Sequence, residues 1–220
     1  MDKDLLLILW CAVGYLSGSI PFGLILCSVC GYGDIRKSGS GNIGATNVLR
    51  VTKNKLLALL TILLDASKAG LVAYIALLAT SNRMVMFCGM PIELNVLISL
   101  FCGTLAVLGH NFPIWLKFKG GKGVASSFGL IMFLRPFTAL AALVVWIVMA
   151  VVFRYSSLAA IVAALVVPFI SFFYNDTIYT IFFAFLSLLL LVRHRSNIVR
   201  LLRGEESKIS FGKSKNVGKK

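Results

Sequence analysis

The sequence predicts an all-α polytopic integral membrane protein, and two observations support this fold class. Apolar residues make up 59% of the 220 residues, and the mean hydropathy of +0.92 is far above that of soluble domains. Apolar stretches close to the ~20 residues of a bilayer crossing also recur along the chain. Because the hydrocarbon core offers no water to backbone groups, each of these stretches is expected to form a helix.

Seven apolar segments are expected to cross the membrane, although the stretch 124–153 allows two interpretations. A single straight helix over this stretch would be roughly 45 Å long at ~1.5 Å per residue, which exceeds a ~30 Å hydrocarbon core. Arg135-Pro136 divides the stretch, and the residue before a proline disfavours helix. The predicted segments are about 5–30, 56–80, 92–116, 124–134, 136–153, 157–175 and 177–192.

The positions of lysine and arginine decide between one crossing and two. With two crossings, every lysine and arginine apart from Lys3, Lys68, Arg83 and Arg135 lies on one side of the membrane. With one crossing, the basic C-terminal segment lies opposite the other basic loops. The positive-inside rule favours two crossings, which predicts seven helices with the N-terminus outside and the C-terminus in the cytosol.

The chain is expected to form one membrane-embedded domain, over residues 1–206. No internal stretch has the length and polarity of a separate soluble domain. Residues 207–220 are polar and basic, and they are predicted to form a disordered cytosolic tail that can touch anionic headgroups.

The eight acidic residues are scattered, which excludes several classes of enzyme. No Asp/Glu cluster is available for a catalytic Mg²⁺ and no His/Cys set for zinc, so neither a metal site nor a cofactor is predicted. Asp65 and Lys68 are unusual, because they lie on the second predicted helix, roughly 15 Å into the membrane at ~1.5 Å per residue. Charges at that depth are costly and usually paired, so a structural ion pair is predicted in preference to a functional one.

The most unusual polar stretch is SGSGNIGATNVLR, residues 38–50, between two apolar segments. Glycines let backbone N–H groups approach an anion, hydroxyl and amide groups can donate to phosphate or cap a helix, and an arginine can clamp two phosphate oxygens. The match to G-x-G-x-x-G is weak, since no dinucleotide fold is predicted around it. An ordinary polar loop is the alternative interpretation. The candidate phosphate-binding residues are Ser40, Gly41, Asn42, Gly44, Thr46, Asn47 and Arg50.

A second candidate loop, FKGGKG, immediately precedes an apolar segment. A lysine among three glycines suits a phosphate held at a helix N-terminus, although the spacing is not that of a Walker A loop. Lysines that only satisfy the positive-inside rule are the alternative interpretation. The candidate residues are Gly120, Gly121, Lys122 and Gly123, while His110 and Asn111 just upstream are left open between packing and a site.

Two further polar stretches lie on the same predicted side. Ser156 and Ser157 form a short turn whose simplest interpretation is a helix N-cap. His194 and Asn197 are three residues apart at a helix end, so they share one face. The arginines around them are interpreted as topology determinants and lipid contacts.

Taken together, these blocks resemble the acyl-phosphate-dependent glycerol-3-phosphate acyltransferases, a family of bacterial inner-membrane enzymes. The resemblance rests on SGSGNIGATNVLR, GHNFP-x4-FKGGKGVA, YSSL and RH-x2-NI-x-RL, and it extends from Gly18 to about Glu206. It implies seven helices, a cytosolic active site and an acyl phosphate rather than an acyl-CoA donor. The implied reaction transfers an acyl group to the 1-hydroxyl of sn-glycerol 3-phosphate, giving lysophosphatidic acid and phosphate in the first acylation step of phospholipid synthesis.

The resemblance also implies roles for the candidate residues. Phosphate binding is expected of Ser40, Arg50 and Lys122, and a glycerol phosphate pocket of Ser156 or Ser157 with His194 and Asn197. The stretch 38–50 is expected to be formed or braced by Asn42, Thr46 and Asn47. The FKGGKG loop is expected to be shaped by Gly120, Gly121 and Gly123. The expected partners are the two substrates and the lipid bilayer, with no nucleic acid, and the expected working unit is a monomer.

The implied chemistry leaves two mechanisms open. The His-x4-Asp pair that other glycerol-phosphate acyltransferases use as a base is absent, and no Ser-His-Asp or Cys-His set is apparent. We therefore expect direct, substrate-assisted transfer, in which the leaving phosphate accepts the hydroxyl proton and the protein positions both substrates. His194 as a general base is the alternative. A transporter of organic phosphates is the rival class, although the sequence shows no internal repeat.

Overall fold

The computed structural model describes residues 2–209 and shows a bundle of helices with one small hairpin. The all-α prediction is therefore correct except for that hairpin. The helices are α1 (Lys3–Gly18), α2 (Phe22–Val29), α3 (Ala45–Thr52), α4 (Lys55–Ala79), α5 (Leu94–Asn111), α6 (Val124–Leu134), α7 (Pro136–Phe153), α8 (Ser156–Phe173), α9 (Thr177–Arg193) and α10 (Arg195–Leu202). The strands are β1 (Met84–Phe87) and β2 (Met90–Glu93).

Within residues 2–209, five helical spans are long and apolar enough to cross a membrane, and a sixth is reached if α9 and α10 are taken together. The pair α9 and α10 is bent by 60°, and the apolar helix α6 has 11 residues. Seven crossings therefore remain a prediction. The five spans are Lys3–Val29, Lys55–Ala79, Leu94–Leu116, Pro136–Phe153 and Ser156–Phe173.

The predicted division of the stretch 124–153 into two helices is correct. Arg135 separates α6 from α7 in a non-helical conformation, with φ −144° and ψ 71°, and α7 begins at Pro136. Proline suits the first helical position, where an N–H would have no partner within the helix. Arg135 donates to the Asp176 carboxylate over 2.7 Å, and its guanidinium lies 3.6 Å from the centre of the Tyr179 ring. The break is thereby attached to the start of α9.

The sequence analysis missed the hairpin between α4 and α5, and it also missed the break that divides the predicted segment 5–30 into α1 and α2. The strands of the hairpin are antiparallel, and Phe87 pairs with Met90 beside a two-residue turn. Cys88 and Gly89 in this turn both have positive φ, 50° and 78°, as the type I′ turn of short hairpins requires. Cys-Gly is not among the usual dipeptides for that turn, so no hairpin signal stands out in the sequence.

Small residues let the helices approach each other closely, as is common where helices associate within lipid. A Cβ added at Gly14 or Gly18 of α1 would overlap the backbone of α5. A Cβ at Gly70 of α4 would overlap the backbone carbonyl of Gly129 on α6. These contacts hold α1 against α5 and α4 against α6.

The predicted ion pair between Asp65 and Lys68 is present inside the bundle. The Lys68 Nζ lies 2.8 Å from the Asp65 Oδ1, both side chains are buried, and the same oxygen lies 3.6 Å from the His110 Nδ1 of α5. Lys68 also donates to the Ile20 carbonyl, and the Ser126 hydroxyl of α6 donates to the Asp65 carbonyl, each over 2.8 Å. This buried cluster of Asp65, Lys68 and His110 therefore joins the α1–α2 junction, α4, α5 and α6.

The segment after α10 contacts the helices rather than leaving them. Arg50 at the end of α3 donates to the Ser207 hydroxyl over 2.7 Å, and the Ile209 N–H donates to the Arg154 carbonyl over 2.6 Å. Residues 207–209 thus contact the helices, and the division of the chain at residue 206 stays a prediction. The rest of the predicted tail, 210–220, lies outside the described residues.

Candidate active site

The four polar stretches singled out in the sequence meet at one end of the helix bundle. The second loop (residues 117–123) bonds to α10, a serine at the start of α8 bonds to the segment after α10, and an arginine of α3 bonds to that same segment. The first loop (residues 34–44) leads directly into α3. Residues that are distant in the sequence are thereby gathered into one region.

Asn47 organises the first loop from beneath. Its side chain is almost fully buried, and its Nδ2 donates to the carbonyls of Ile35 and Asn42 over 3.0 and 2.8 Å. Its Oδ1 accepts the N–H of Ser40 over 2.8 Å. An asparagine side chain offers both donors and an acceptor, so one residue can hold three points of an irregular loop.

The outer side of the first loop carries groups that a ligand can reach. Gly39 and Gly41 have φ of 64° and 71°, which glycine adopts at no steric cost, and the Gly44 N–H donates to the Asn42 Oδ1 over 3.3 Å just before α3 begins. Four of the predicted residues in this region are exposed: Ser40, Gly41, Thr46 and Arg50.

The backbone of the second loop is held from both sides. The N–H groups of Gly120 and Gly121 donate to the carbonyls of Asn111 and His110 over 3.2 and 3.0 Å. Their own carbonyls accept from the Arg193 guanidinium over 2.9 and 2.8 Å. The shape of this loop is therefore set by the ends of α5 and α9.

The glycines of the second loop are required first by packing against α5. A Cβ at Gly121 would overlap the His110 imidazole, and a Cβ at Gly120 would overlap the His110 carbonyl. Gly123 has φ 81° and ends the loop beside Asn111. His110 thus packs beneath the loop as part of the buried cluster, and a methyl group at Gly121 would act on the loop before it could act on a ligand.

Arg193, which the sequence analysis interpreted as a topology determinant and lipid contact, instead binds the backbone of the second loop. Besides binding two loop carbonyls, its guanidinium lies 4.9 Å from the centre of the Phe112 ring. Its place beside His194 in the RH-x2-NI block was the available signal, but a surface arginine and a loop-binding arginine look alike in sequence. Only the fold distinguishes them.

Four side chains are linked through hydrogen bonds to the carboxylate of Glu206, and we call these five residues the carboxylate network. Lys122 donates to the Asn197 Oδ1, and the Asn197 Nδ2 donates to the Glu206 Oε1 over 2.7 Å. The Ser157 hydroxyl donates to the same oxygen over 2.8 Å, and the Arg200 Nε donates to Oε2 over 2.7 Å. The predicted residues Lys122, Ser157 and Asn197 are therefore brought together by Glu206, for which the sequence analysis assigned no role.

The surroundings of Lys122 in the carboxylate network bring its pKa close to neutral pH. Burial lowers the pKa of Lys122 to about 8; the Glu206 carboxylate opposes this shift, and Arg200, Arg193 and Arg50 reinforce it. Burial alone would raise the pKa of Glu206, but hydrogen bonds from its three donors outweigh burial and hold that pKa below its usual value. A charged lysine and a charged carboxylate thus coexist at neutral pH.

His194 lies at the break between α9 and α10 and is almost fully buried. Burial lowers its pKa to about 4, so the ring is neutral at pH 7. Its Nδ1 lies 2.9 Å from the Leu190 carbonyl, which makes Nδ1 the protonated nitrogen and leaves Nε2 as an acceptor. Ser156, the first residue of α8 and the chain neighbour of Ser157, is half-buried.

An open cleft of about 510 Å³ lies between the first and second loops. This volume suits a small-molecule site, for which ~300–1,000 Å³ is typical. Its lining includes Arg36, Lys37, Lys119 and Arg193. Asp34, bonded to Arg36 at 2.6 Å, has a pKa lowered to about 2 by that hydrogen bond. The lining is basic overall and suits an anionic ligand.

Fold and site together define a class of protein, an integral membrane enzyme with a basic cleft and a lysine-containing polar network at one end of its helices. Residues 8–204 match the glycerol-3-phosphate acyltransferase family, and the chain belongs to this family. The glycerol-3-phosphate acyltransferase of Rhodospirillum rubrum is 50% identical over 204 residues, covering 92% of this chain and 91% of the relative. That of Mesorhizobium japonicum is 47% identical over 203 residues, covering 92% and 96%.

Two crystal structures of PlsY (YgiH), an integral membrane glycerol 3-phosphate acyltransferase, share the fold. The glycerol 3-phosphate form has a TM-score of 0.82 and 34% identity, covering 93% of this chain and 96% of that chain. The lysophosphatidic acid form has a TM-score of 0.80 and 33% identity, covering 93% and 95%. The family resemblance seen in the sequence is confirmed, and this chain is an acyltransferase of phospholipid synthesis rather than a transporter.

Proposed function

We propose that this enzyme transfers an acyl group from acyl phosphate to the 1-hydroxyl of sn-glycerol 3-phosphate, releasing lysophosphatidic acid and phosphate. The observation that carries the proposal is the meeting of Arg50, Lys122, Ser157 and Asn197 at one end of the bundle. Glycerol 3-phosphate is a phosphate monoester and acyl phosphate is a mixed anhydride, so both substrates carry phosphate. The four side chains are cationic or hydrogen-bonding groups, which suit phosphate. The related structures with glycerol 3-phosphate and lysophosphatidic acid support the same substrate and product.

The proposed chemistry is a direct transfer. The 1-hydroxyl oxygen bonds to the acyl carbon, the bond from that carbon to the phosphate oxygen breaks, and the hydroxyl proton moves to the departing phosphate. Lys122 and Arg50 stabilise the negative charge, and Ser40 adds a hydroxyl donor at the exposed edge of the first loop. The glycerol phosphate would lie against Ser156 or Ser157, His194 and Asn197.

The low basicity of His194 favours substrate assistance over a base supplied by this residue. The pKa of His194 is lowered to about 4, so its neutral ring binds a proton weakly at pH 7. Its Nδ1–H is bonded to the Leu190 carbonyl, so Nε2 is the nitrogen that could act as a base in the alternative mechanism. A leaving phosphate, by contrast, gains basicity as its bond to the acyl carbon breaks. No cofactor enters this proposal.

We further propose seven crossings, with the short α6 as the additional one and the N-terminus outside. The site would then face the cytosol from the bacterial inner membrane. Basic residues are concentrated at the end of the bundle that carries the site, and this supports the orientation, since cytosolic loops carry an excess of lysine and arginine. A monomer as the working unit is part of the same proposal.

The test uses purified protein in lipid nanodiscs with palmitoyl phosphate and glycerol 3-phosphate, and follows phosphate release together with lysophosphatidic acid. A parallel reaction receives palmitoyl-CoA instead. We expect equal amounts of both products from palmitoyl phosphate and none from palmitoyl-CoA. Product from palmitoyl-CoA alone would overturn the donor assignment. A His194→Gln variant that abolishes a limb of the pH–rate profile centred near a histidine pKa would overturn substrate assistance.

A further inference from the structure

We infer that the hairpin between α4 and α5 carries a binding site for a soft monovalent metal ion, Cu(I), formed by the sulfur atoms of Met84, Met86 and Cys88. We call these three residues the sulfur site. Because α4 begins and α5 ends at the acyltransferase site, the hairpin that joins their other ends lies at the opposite end of the bundle. The inference is therefore independent of the reaction proposed above. Four observations support it.

The first observation is the alternation of exposure along β1. Met84 and Met86 are 61% and 69% exposed, whereas Phe87 is half-buried and packs edge-to-face on Phe101 with ring centres 5.7 Å apart. Successive side chains of a strand point to opposite faces. The outer face of the hairpin therefore carries both methionines, and Cys88, exposed at the turn, follows them.

The second observation is a charged residue on the same face. Met84 is directly opposite Glu93 in the hairpin, and opposed side chains of two antiparallel strands lie on one face. Glu93 is exposed, and the exposed Arg83 precedes β1. Since charges are costly within hydrocarbon, this face lies at the membrane surface, within reach of dissolved ions. Contact with lipid tails therefore does not explain the two exposed methionines.

The third observation is the chemistry of the three sulfur atoms. Thioether and thiolate sulfurs are soft ligands that favour Cu(I), whereas Mg²⁺ and Ca²⁺ take oxygen ligands. Within residues 2–209 no group of three or more His, Cys, Asp or Glu side chains could hold a metal ion, so this site depends on methionine. Binding forms three Cu–S bonds and releases the thiol proton of Cys88 to water, with no change of oxidation state.

The fourth observation is the reach of the side chains from a fixed backbone. Met84 and Met86 lie about 7 Å apart along the strand at ~3.4 Å per residue. Methionine is unbranched and flexible, so two thioethers at this spacing can converge on one ion. The Leu94 N–H donates to the Arg83 carbonyl over 2.9 Å and closes the base of the hairpin. Flexible ligands thus stand on a defined strand.

The test is a competition for Cu(I) with bicinchoninate, a chelator whose Cu(I) complex is coloured, under nitrogen with the protein in nanodiscs. The wild type is compared with the double variant Met84→Leu/Met86→Leu and with Cys88→Ser. Leucine keeps the approximate volume of methionine and removes the sulfur. The matched control is Met132→Leu/Met149→Leu, which removes two methionines from α6 and α7 and leaves the hairpin intact.

A second control addresses the other closely spaced cysteines, Cys27 of α2 and Cys30 at its end, of which Cys30 is exposed. We expect the wild type, Cys30→Ser and the methionine control to withdraw a single Cu(I) per chain from bicinchoninate. Each sulfur-site variant should bind Cu(I) more than about tenfold more weakly, since even the loss of an outer-shell partner costs about 10- to 100-fold in metal affinity.

Alkylation of Cys88 by iodoacetamide, followed by mass spectrometry, reads the same site without acyl transfer. Bound Cu(I) should protect the Cys88 thiol in the wild type. The protection should disappear in Met84→Leu/Met86→Leu, where the thiol remains but the thioethers are gone. Unfolding temperatures like that of the wild type would show that the hairpin variants fold, and their acyl transfer should be unchanged.

Three outcomes would overturn the inference. The wild type could fail to withdraw Cu(I) from bicinchoninate. Binding could persist in Cys88→Ser but be lost in Cys30→Ser, which would place the metal on α2. Finally, Met84→Leu/Met86→Leu could bind Cu(I) as tightly as the wild type, which would leave the methionines as ordinary exposed side chains. Acyl transfer that fails in the wild type while Cu(I) binding follows the sulfur site would overturn only the proposed reaction.

Discussion

Two lysine–carboxylate arrangements in this protein are built in different ways. In the buried cluster, Lys68 contacts Asp65 directly over 2.8 Å and also donates to a main-chain carbonyl. In the carboxylate network, Lys122 reaches Glu206 only through the neutral amide of Asn197. Direct contact lets the opposite charges of Asp65 and Lys68 compensate each other, so the pair can be buried between helices. An intervening amide orients the second lysine without cancelling its charge, which remains for a phosphate.

The comparison is tested most strongly by Asp65→Ala. This change leaves Lys68 buried without its partner, and removing one member of a buried ion pair typically costs ~3–5 kcal/mol. We expect a much lower unfolding temperature and a low yield of folded protein in detergent. Asp176→Ala is the control, because it breaks the half-exposed pair with Arg135 and should cost ~0–1 kcal/mol. Equal unfolding temperatures for the two variants would contradict a structural role for the buried cluster.

Lys122→Ala should give the opposite result, with a large loss of activity and little loss of stability. Removing a group that stabilises transition-state charge typically costs about 100- to 1,000-fold in kcat. The measurement is kcat/KM for glycerol 3-phosphate beside a thermal unfolding curve. Lys55→Ala, at the exposed start of α4, removes a lysine from the same end of the bundle and should keep wild-type activity. Near-normal rates in Lys122→Ala would refute the phosphate assignment.

Gly121→Ala should affect both stability and binding. Its Cβ would overlap the His110 imidazole, and such overpacking typically costs ~1–3 kcal/mol. We expect a lower unfolding temperature and a raised KM for glycerol 3-phosphate, because the loop must shift. Gly44→Ala provides the stability control, since its nearest neighbour would be the Asn42 Oδ1 at 4.0 Å. A raised KM with unchanged stability would instead indicate that the methyl group obstructs the phosphate itself.

Arg50→Ala should have the smallest of these effects, about a tenfold loss of kcat/KM, because Arg50 is exposed and one of several cations. Ser207→Ala removes the partner of Arg50 in the C-terminal segment and leaves the guanidinium in place. A much smaller loss in Ser207→Ala would support phosphate binding by Arg50. Equal losses in the two variants would mean that Arg50 acts by holding that segment.

Local patterns were sufficient to predict most of the fold. The helix break beside Pro136 follows from the backbone of proline and the distribution of basic residues, and the Asp65–Lys68 pair follows from the cost of isolated charge in lipid. The hairpin was missed because its turn depends on the conformation of Cys88 and Gly89 rather than on a characteristic dipeptide. Such a turn is specified by its surroundings as much as by its residues.

The candidate site was predictable only in part. The glycine-rich stretches and the RH-x2-NI block pointed to segments that the fold brings together, but their partners lie far away in the sequence. Nothing in RGEE distinguishes Glu205 from Glu206, yet one is exposed and the other is enclosed by three donors. Arg193 likewise bonds to a loop some 72 residues earlier. These assignments depend on tertiary contacts, which no local pattern encodes.

The shortness of α6 bears on how the two substrates can meet. Its 11 residues span about 16 Å at ~1.5 Å per residue, roughly half of a ~30 Å hydrocarbon core. In the proposed topology the loop that precedes α6, with Lys122, therefore lies below the headgroup level or under a locally thinned leaflet. A donor can then keep its hydrocarbon tail among the lipid tails while its reactive end meets a water-soluble alcohol. The product would already stand in the leaflet and could diffuse away sideways without ever being extracted into water.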